Sequence, residues 1–282
     1  MAKFRLLQDL LLRRGLAREG QIHQPLPIPR RALELVHERT YHEAFSQDRL
    51  SPADQRRIGL PATRPLVRRS WLAVGGTVLT ARLALRHGLA CHLAGGTHHA
   101  YSSFGSGFCI FNDVAVAARL LLAEQAVRQV MVVDLDVHQG DGTAAIFATD
   151  PRVFTLSLHA ASNFPLRKQR SDHDLALPDG LEDDGYLAAL GALLPDLLSQ
   201  VRPDLVLYNA GVDPHRDDRL GRLALSDEGL LQRDRLVLEL CLRRGIPVAS
   251  VIGGGYDDLP ALVARHSLVF HAAAELGLLL GL

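Results

Sequence analysis

Five short apolar runs, each nearly unbroken and each ending in polar or ionisable side chains, constrain what this chain can fold into. They are ACHLAGG near position 90, QVMVVDLD ending at 136, RVFTLSLH ending at 159, PDLVLYNAG ending at 211 and IPVASVIGGG ending at 255. A strand with one wet face alternates apolar and polar residues, whereas a strand covered on both faces of a parallel sheet reads as a continuous run. Between the runs, VAVAARLLLAEQ, GYLAALGALLPDLLSQ and EGLLQRDRLVLELCLRRG carry apolar residues at helical spacing. This alternation predicts right-handed crossovers and an α/β fold: a doubly wound, mostly parallel β-sheet flanked by helices. Residues 3 to 14 and 31 to 45 also have helical spacing, joined by the proline-rich IHQPLPIPRR. A length of 282 residues fits a single domain over 1–282, and no internal repeat or low-complexity tract divides it.

Basic and acidic residues are equal at 31 each, so no net attraction to nucleic acid or to an anionic membrane is expected. No apolar stretch reaches about 18 residues without a charge, and no membrane span is expected. MAKFRLLQDLLLRRGLAREG carries charges through its apolar run, unlike a secretory signal. Cys91, Cys109 and Cys241 are odd in number and form no CxxC pair, which argues against disulfides and cysteine zinc sites and for a reducing cytoplasm. Cys91 and Cys109 read as small buried residues and Trp71 as core, while Arg64, Arg68, Arg69, Arg167, Lys168 and Arg170 read as solvated loop charge.

Ligands of open parallel sheets bind beyond the carboxyl ends of the strands. Here those ends read GGTHHA, DLDVHQGD, SLHAASNF, NAGVDPH and GGGYDD. Asp136 and His138 are spaced i, i+2, so in extended backbone both side chains leave the same face and can grip one ion. Asp213, after another run, can supply a third ligand. One His with carboxylates and open positions describes a catalytic metal site, with Zn²⁺ as first choice and Fe²⁺ as second. Asp134 shares that face, and carboxylates crowded together repel unless cations or charged histidines neutralise them. A lone Asp-Gly would read as a turn or a helix cap, but Asp134, Asp136, His138 and Asp141 within eight positions do not.

His98 and His99 follow a glycine turn, and each needs a partner to fix its tautomer. Asp134 and Asp141 are the natural candidates, leaving one His free to act as general base toward a water whose pKa a metal lowers to about 7. Tyr256, after three glycines, either packs or donates from its hydroxyl to a developing oxyanion. Metal, base and donor together specify metal-assisted hydrolysis of a carbonyl compound.

The motifs GGTHHA, SGFCIFNDVAVAA, VVDLDVHQGDGT, TLSLH, GVDPHRDDRLG and GGGYDD, in this order over roughly residues 70 to 260, resemble those of the histone deacetylase family within the arginase-related amidohydrolases. PDLVLYNAGVDPHRDDRLGRLALSDEGLLQRD looks most like the class IV branch and its bacterial relatives. The resemblance implies an arginase/deacetylase-like fold and a zinc-dependent lysine deacylase. It implies Asp136, His138 and Asp213 as metal ligands, Tyr256 as carbonyl polariser, His99 with Asp141 as general base, and His98 with Asp134 as electrostatic support. It further implies a structural K⁺ held by Asp134, Asp136 and His138 with backbone near Ser157 and Leu158. The substrate channel it implies comprises Gly107, Phe108, Phe164, Leu220, Gly254 and Gly255.

In two places the sequence departs from the family. A strand that usually precedes the segment at Met1 has no counterpart, so a chain lacking an edge strand or starting downstream of the true initiation site is expected. RIGLPATRPLVRRS shows no equivalent of the rim aspartate with which some relatives hold peptide backbone. The substrates implied are an acyl-lysine peptide or protein, or a small acylated amine such as an acetylpolyamine. A non-catalytic module that binds an acylated ligand is the contrasting reading, and it would be favoured by loss of Tyr256, a His of the pair or a metal ligand, none of which is missing. A binuclear arginase-like site needs bridging carboxylates at a DxD spacing that GVDPHRDD does not supply.

Overall fold

The computed structural model describes residues 2–281, and the expectation concerning Met1 and what precedes it lies outside them. Six strands form one parallel sheet: β1 (Leu89–Cys91), β2 (Val130–Asp134), β3 (Val153–Ala160), β4 (His173–Leu177), β5 (Leu205–Asn209) and β6 (Val248–Val251), in the order β1-β6-β5-β2-β3-β4. The chain runs outward from β2 through β3 to β4, then returns to the other side of β2 as β5. Strand order therefore reverses at the β2/β5 pair, where Asp134 lies in register with Asn209. A crevice opens at such a reversal.

The helices are α1 (Ala2–Arg13), α2 (Arg30–Leu33), α3 (Arg39–Ser46), α4 (Pro52–Ile58), α5 (Arg64–His87), α6 (Asp113–Ala123), α7 (Asp141–Phe147), α8 (Asp183–Val201), α9 (Asp227–Leu242), α10 (Leu259–His266) and α11 (Leu268–Leu280). Local chemistry sets their ends. The Thr63 hydroxyl accepts the Leu66 N–H, with Pro65 in the first turn of α5, and Gly88 in a positive-φ conformation closes that helix. Asn112 and Ser226 cap α6 and α9 in the same way.

The unbroken apolar runs follow from two cores. Met131 and Val133 of β2 face one core with Leu190 and Leu194 of α8 and Leu230 and Val237 of α9. Val130 and Val132 face the other with Val74 and Val78 of α5 and Val114 and Leu121 of α6. Each such side chain contributes about 1.5–3 kcal/mol by leaving water.

The structure differs from expectation in four places. β4 lies outside the five apolar runs: it is a five-residue edge strand with half-exposed alternation, too short and too wet to register as an apolar run. The helix expected over 31 to 45 breaks between Leu33 and Arg39, where the Glu38 N–H donates to the Ser102 carbonyl and His37 Nε2 accepts the Asn112 N–H. Tertiary partners there outweigh helical spacing. β2 ends at Asp134 and β1 at Cys91, so the motif residues beyond them lie in loops. Finally, Leu259–Leu280 is long and apolar enough to span a bilayer, with mean hydropathy 1.2; it is interrupted at Ser267 and half buried within the protein, as core helices are.

Candidate active site

The β2/β5 crevice assembles the ionisable residues by turns rather than by strand pleat. Asp134 Oδ1 accepts the Asp136 N–H at 3.2 Å, and Asp136 Oδ1 accepts the His138 N–H at 3.0 Å. These successive side-chain turns carry the chain from β2 to α7 and correct the expectation that Asp136 and His138 share a strand face. Asp213 reaches in from the loop after β5, its Oδ1 accepting the Val137 N–H at 2.8 Å, while Asp136 Oδ2 accepts the Gly254 N–H at 2.8 Å. His138 Nδ1 lies 3.1 Å from both Asp136 Oδ1 and Asp213 Oδ2, and one ligand atom from each residue falls within 4.8 Å of the others. All three residues are buried.

Two oxygens and one imidazole nitrogen, oriented by backbone donors and shut away from water, fit a single divalent transition cation with open positions. Electrostatics point the same way. Burial and then the Asp136 charge push Asp213 up to about 7. Burial pulls His138 down, but Asp136 and Asp213 outweigh it and raise it to about 10. Positive charge is favoured at this point.

The histidine pair lies in the loop after β1. His98 Nδ1–H donates to Asp134 Oδ2 at 2.7 Å and His99 Nδ1–H to Asp141 Oδ1 at 2.6 Å, with ring centroids 4.1 Å apart. Their environments separate them. Burial disfavours the charged form of both, but Asp134 and Asp136 overcome it at His98 and raise it to about 9. At His99, burial and the neighbouring His98 charge prevail over Asp141 and lower it to about 4. His98 thus holds a proton near neutral pH and His99 stays neutral.

Tyr256 follows β6 on the loop leading to α10; its N–H donates to Asp218 Oδ2 at 2.7 Å and its ring stands edge-on to His138 at 6.0 Å. Burial and the Asp136 and Asp213 charges raise its pKa, so the phenol remains a donor. A cavity of about 220 Å³ is lined by His98, His99, Gly107, Phe108, Asp136, Gly254, Gly255 and Tyr256. Gly107 has a positive φ, and a Cβ there would meet the His99 ring at 2.6 Å; one on Gly254 would strike the Asp213 carboxylate. Phe164 stands edge-on to His99 at 4.9 Å, and Asn163 Nδ2 donates to the Leu220 carbonyl, which sets Leu220 beside that segment. Phe108, Phe164 and Leu220 are about two-fifths exposed; Phe108 lines the cavity, whereas Phe164 and Leu220 lie outside its lining. Ser157 and Leu158 are buried on β3, with Ser157 in register with Asp134.

Several residues at the site were not anticipated. Tyr101 Oη donates to Asp141 Oδ2 at 2.9 Å, and Asn209 Nδ2 to Asp134 Oδ1 at 2.9 Å. Asn112 Nδ2 reaches the His98 and Ala100 carbonyls, and Asp113 accepts the Gly96 and Thr97 N–H groups. Lys3 and Arg69 also line the cavity, from α1 and α5; burial and Arg69 lower Lys3 to about 8. The asparagines and Asp113 stood inside quoted motifs, but Lys3 lies on a helix whose local pattern is only amphipathic, and Arg69, expected as solvated loop charge, is instead a residue of α5 that lines the cavity.

The reversal point of this parallel sheet gathers buried carboxylates and histidines beside a tyrosine, and comparison with known proteins places the chain in a family. Residues 1–272 match the histone deacetylase domain, and the chain belongs to the histone deacetylase family of hydrolases. It is 58% identical over 276 residues to an uncharacterised protein of Picosynechococcus sp., covering 98% of this chain and 92% of that protein. It is 34% identical over 198 residues to histone deacetylase 2 of Arabidopsis thaliana, covering 69% of this chain and 51% of that one. A crystal structure of a histone deacetylase homologue complexed with SAHA superposes with a TM-score of 0.83 at 27% identity, over 96% of this chain and 77% of that chain.

Proposed function

We propose that this protein is a metal-dependent lysine deacylase, hydrolysing the amide between an acyl group and the ε-amine of lysine. The observation that carries the reading is the Asp136, His138 and Asp213 cluster beside a cavity lined by a histidine raised to about 9, a histidine lowered to about 4 and the half-buried Tyr256. Those three residues would hold Zn²⁺, with Fe²⁺ the second candidate, and the cation supplies Lewis acidity toward the amide carbonyl and toward water. His99, oriented by Asp141, takes a proton from the attacking water and delivers it to the amine as the C–N bond breaks and the new C–O bond is kept in the carboxylate. The charge on His98 and the Tyr256 hydroxyl stabilise the negative charge that develops on the acyl oxygen. Gly107 and Phe108 enclose the methylene stem of the lysine, with Gly254 and Gly255 completing the channel. Lys3 and Arg69 give the cavity a positive charge that suits the carboxylate product.

Asp134, Asp136 and His138, with backbone at Ser157 and Leu158, would share a K⁺ that offsets the crowded carboxylates. The segments at the mouth carry exposed Arg57, Arg167 and Arg219 alongside Asp217 and Asp258, with no acidic excess for a polycation. This favours acyl-lysine over acetylpolyamine. Charge balance and three free cysteines support a cytoplasmic enzyme without nucleic-acid or membrane partners.

The test is hydrolysis of acyl-lysine peptides from acetyl to long-chain, with acetylpolyamines in parallel, by metal-loaded wild type and Tyr256→Phe. Turnover that falls at least about 100-fold in the variant at unchanged metal content is expected. A metal-loaded wild type inert on every amide would refute the reading.

A further inference from the structure

Arg265, near the end of α10, ties together three segments that surround Tyr256. Its guanidinium donates to Asp257 Oδ2, to Asp217 Oδ2 at 2.8 Å and to Asp227 Oδ1 at 3.2 Å. Asp257 directly follows Tyr256, Asp217 lies in the loop after β5 that also carries Asp213, and Asp227 opens α9. His215 closes the ring: its Nε2 lies 3.3 Å from Asp227 Oδ1, and its Nδ1 accepts the Asp217 N–H at 3.1 Å. The parts of this clasp are unequal. Side chains of Asp217 and Asp227 are 62% and 67% exposed, where ion pairs contribute little, but those of Arg265 and Asp257 are only 9% and 13% exposed. The Arg265–Asp257 pair is the strong element.

Its place in the chain gives it a consequence for chemistry. On its N-terminal side Tyr256 is preceded by Gly253, Gly254 and Gly255, where the hold is through backbone groups: the Gly254 N–H donates to Asp136 Oδ2 and its carbonyl accepts the Val212 N–H, at 2.8 Å each. The Tyr256 N–H is held by Asp218, itself fixed by the Leu220 and Gly221 N–H groups. On the C-terminal side the hold comes from Asp257 and, through it, Arg265. We propose that Arg265 is a positioning residue: acting through Asp257, it sets the Tyr256 hydroxyl over the Asp136, His138 and Asp213 cluster while touching neither substrate nor metal. The inference rests on the deacylase reading for its kinetics and on loop geometry alone for its dynamics.

Two measurements test it. In Arg265→Ala, kcat falls about 100-fold, the scale of a 1 Å misplacement, while KM and metal content stay as in wild type and Arg265→Lys recovers part of the loss. In a Tyr256→Phe background the same Arg265→Ala change costs nothing further, because the group it positions is gone. An equal loss in both backgrounds, or a change confined to KM, overturns the proposal. Independently of turnover, hydrogen exchange of the 254–257 amides accelerates in Arg265→Ala while β2 and β5 keep their protection; unchanged exchange in that loop overturns the proposal even if the protein hydrolyses no amide. Should Arg265→Ala not fold, Asp257→Asn removes the same charge pair at near-constant volume and is read by the same two assays.

Discussion

Replacing Asp113 by Ala should cost this protein a large part of its stability, and the amount can be worked from its partners. Asp113 is fully buried at the first turn of α6. Its carboxylate accepts the Thr97 N–H at 2.7 Å, the Gly96 N–H at 3.1 Å, and the hydroxyls of Thr97 and Thr77 at 2.5 Å each. The hydroxyls have alternatives in the Phe111 and Ala73 carbonyls, at 2.5 and 3.3 Å. The two backbone N–H groups have none, and a buried orphaned donor costs about 1–3 kcal/mol. Asp113→Ala is therefore expected to destabilise by about 2–6 kcal/mol, against a total of about 5–15 kcal/mol for a native protein. Asp113→Asn keeps one carbonyl, but the Thr97 and Gly96 N–H groups use different carboxylate oxygens, so one of them is left facing the amide NH2 and the cost should be about 1–3 kcal/mol. Urea unfolding followed by the fluorescence of Trp71, the single tryptophan, which packs edge-on to Phe111 at 5.7 Å, reads both variants. An Ala variant losing under about 1 kcal/mol, or no more than the Asn variant, would refute the argument that Asp113 anchors the GGTHH loop.

Because His99 must be neutral to accept a proton and is held at about 4, kcat/KM should stay level from neutral pH down to about 5 and then fall with a midpoint near 4. The same depression has a stability sign: the unfolded chain, with His near 6.5, binds the proton that folded His99 refuses, so stability drops as pH falls from about 6.5 toward 4. Urea midpoints across that window check it, and a midpoint that rises as pH falls would contradict it. At the cation cluster a proton and a metal compete for His138, which is raised to about 10 beside Asp213, raised to about 7. Metal affinity should consequently climb as pH rises from 6 to 9 with proton release on binding, measured by titration calorimetry in buffers of different ionisation enthalpy; affinity independent of pH would count against His138 as a ligand.

The fold was legible where both faces of a strand are buried and not where one is wet. β2 and β5 announce themselves as VMVVD and LVLYN, with every residue buried, whereas β4 at the sheet edge offers only HDLAL. The break at residues 34 to 38 was invisible for a different reason: the groups that end α2, the Ser102 carbonyl and the Asn112 N–H, lie more than sixty positions away in sequence. At the site, residue types in short motifs marked where chemistry gathers. Lys3, which reaches the cavity from a helix with ordinary amphipathic spacing, and Arg69, expected as loop charge, carried no such mark.

His98 and His99 show why the roles within a motif are harder to read than the motif. They are adjacent, identical in type, equally buried, and each is paired with an aspartate at nearly equal distance. What separates them is the third neighbour. His98 Nε2 lies 3.7 Å from Asp136, so two carboxylates favour its charge, whereas His99 has only Asp141 and faces the charge on His98. One proton therefore does two things: it neutralises part of the Asp134 and Asp136 charge and it keeps the next imidazole unprotonated. The split between the pair is a property of the β2/β5 reversal, which brings Asp136 against the loop after β1, and no local stretch of sequence contains it.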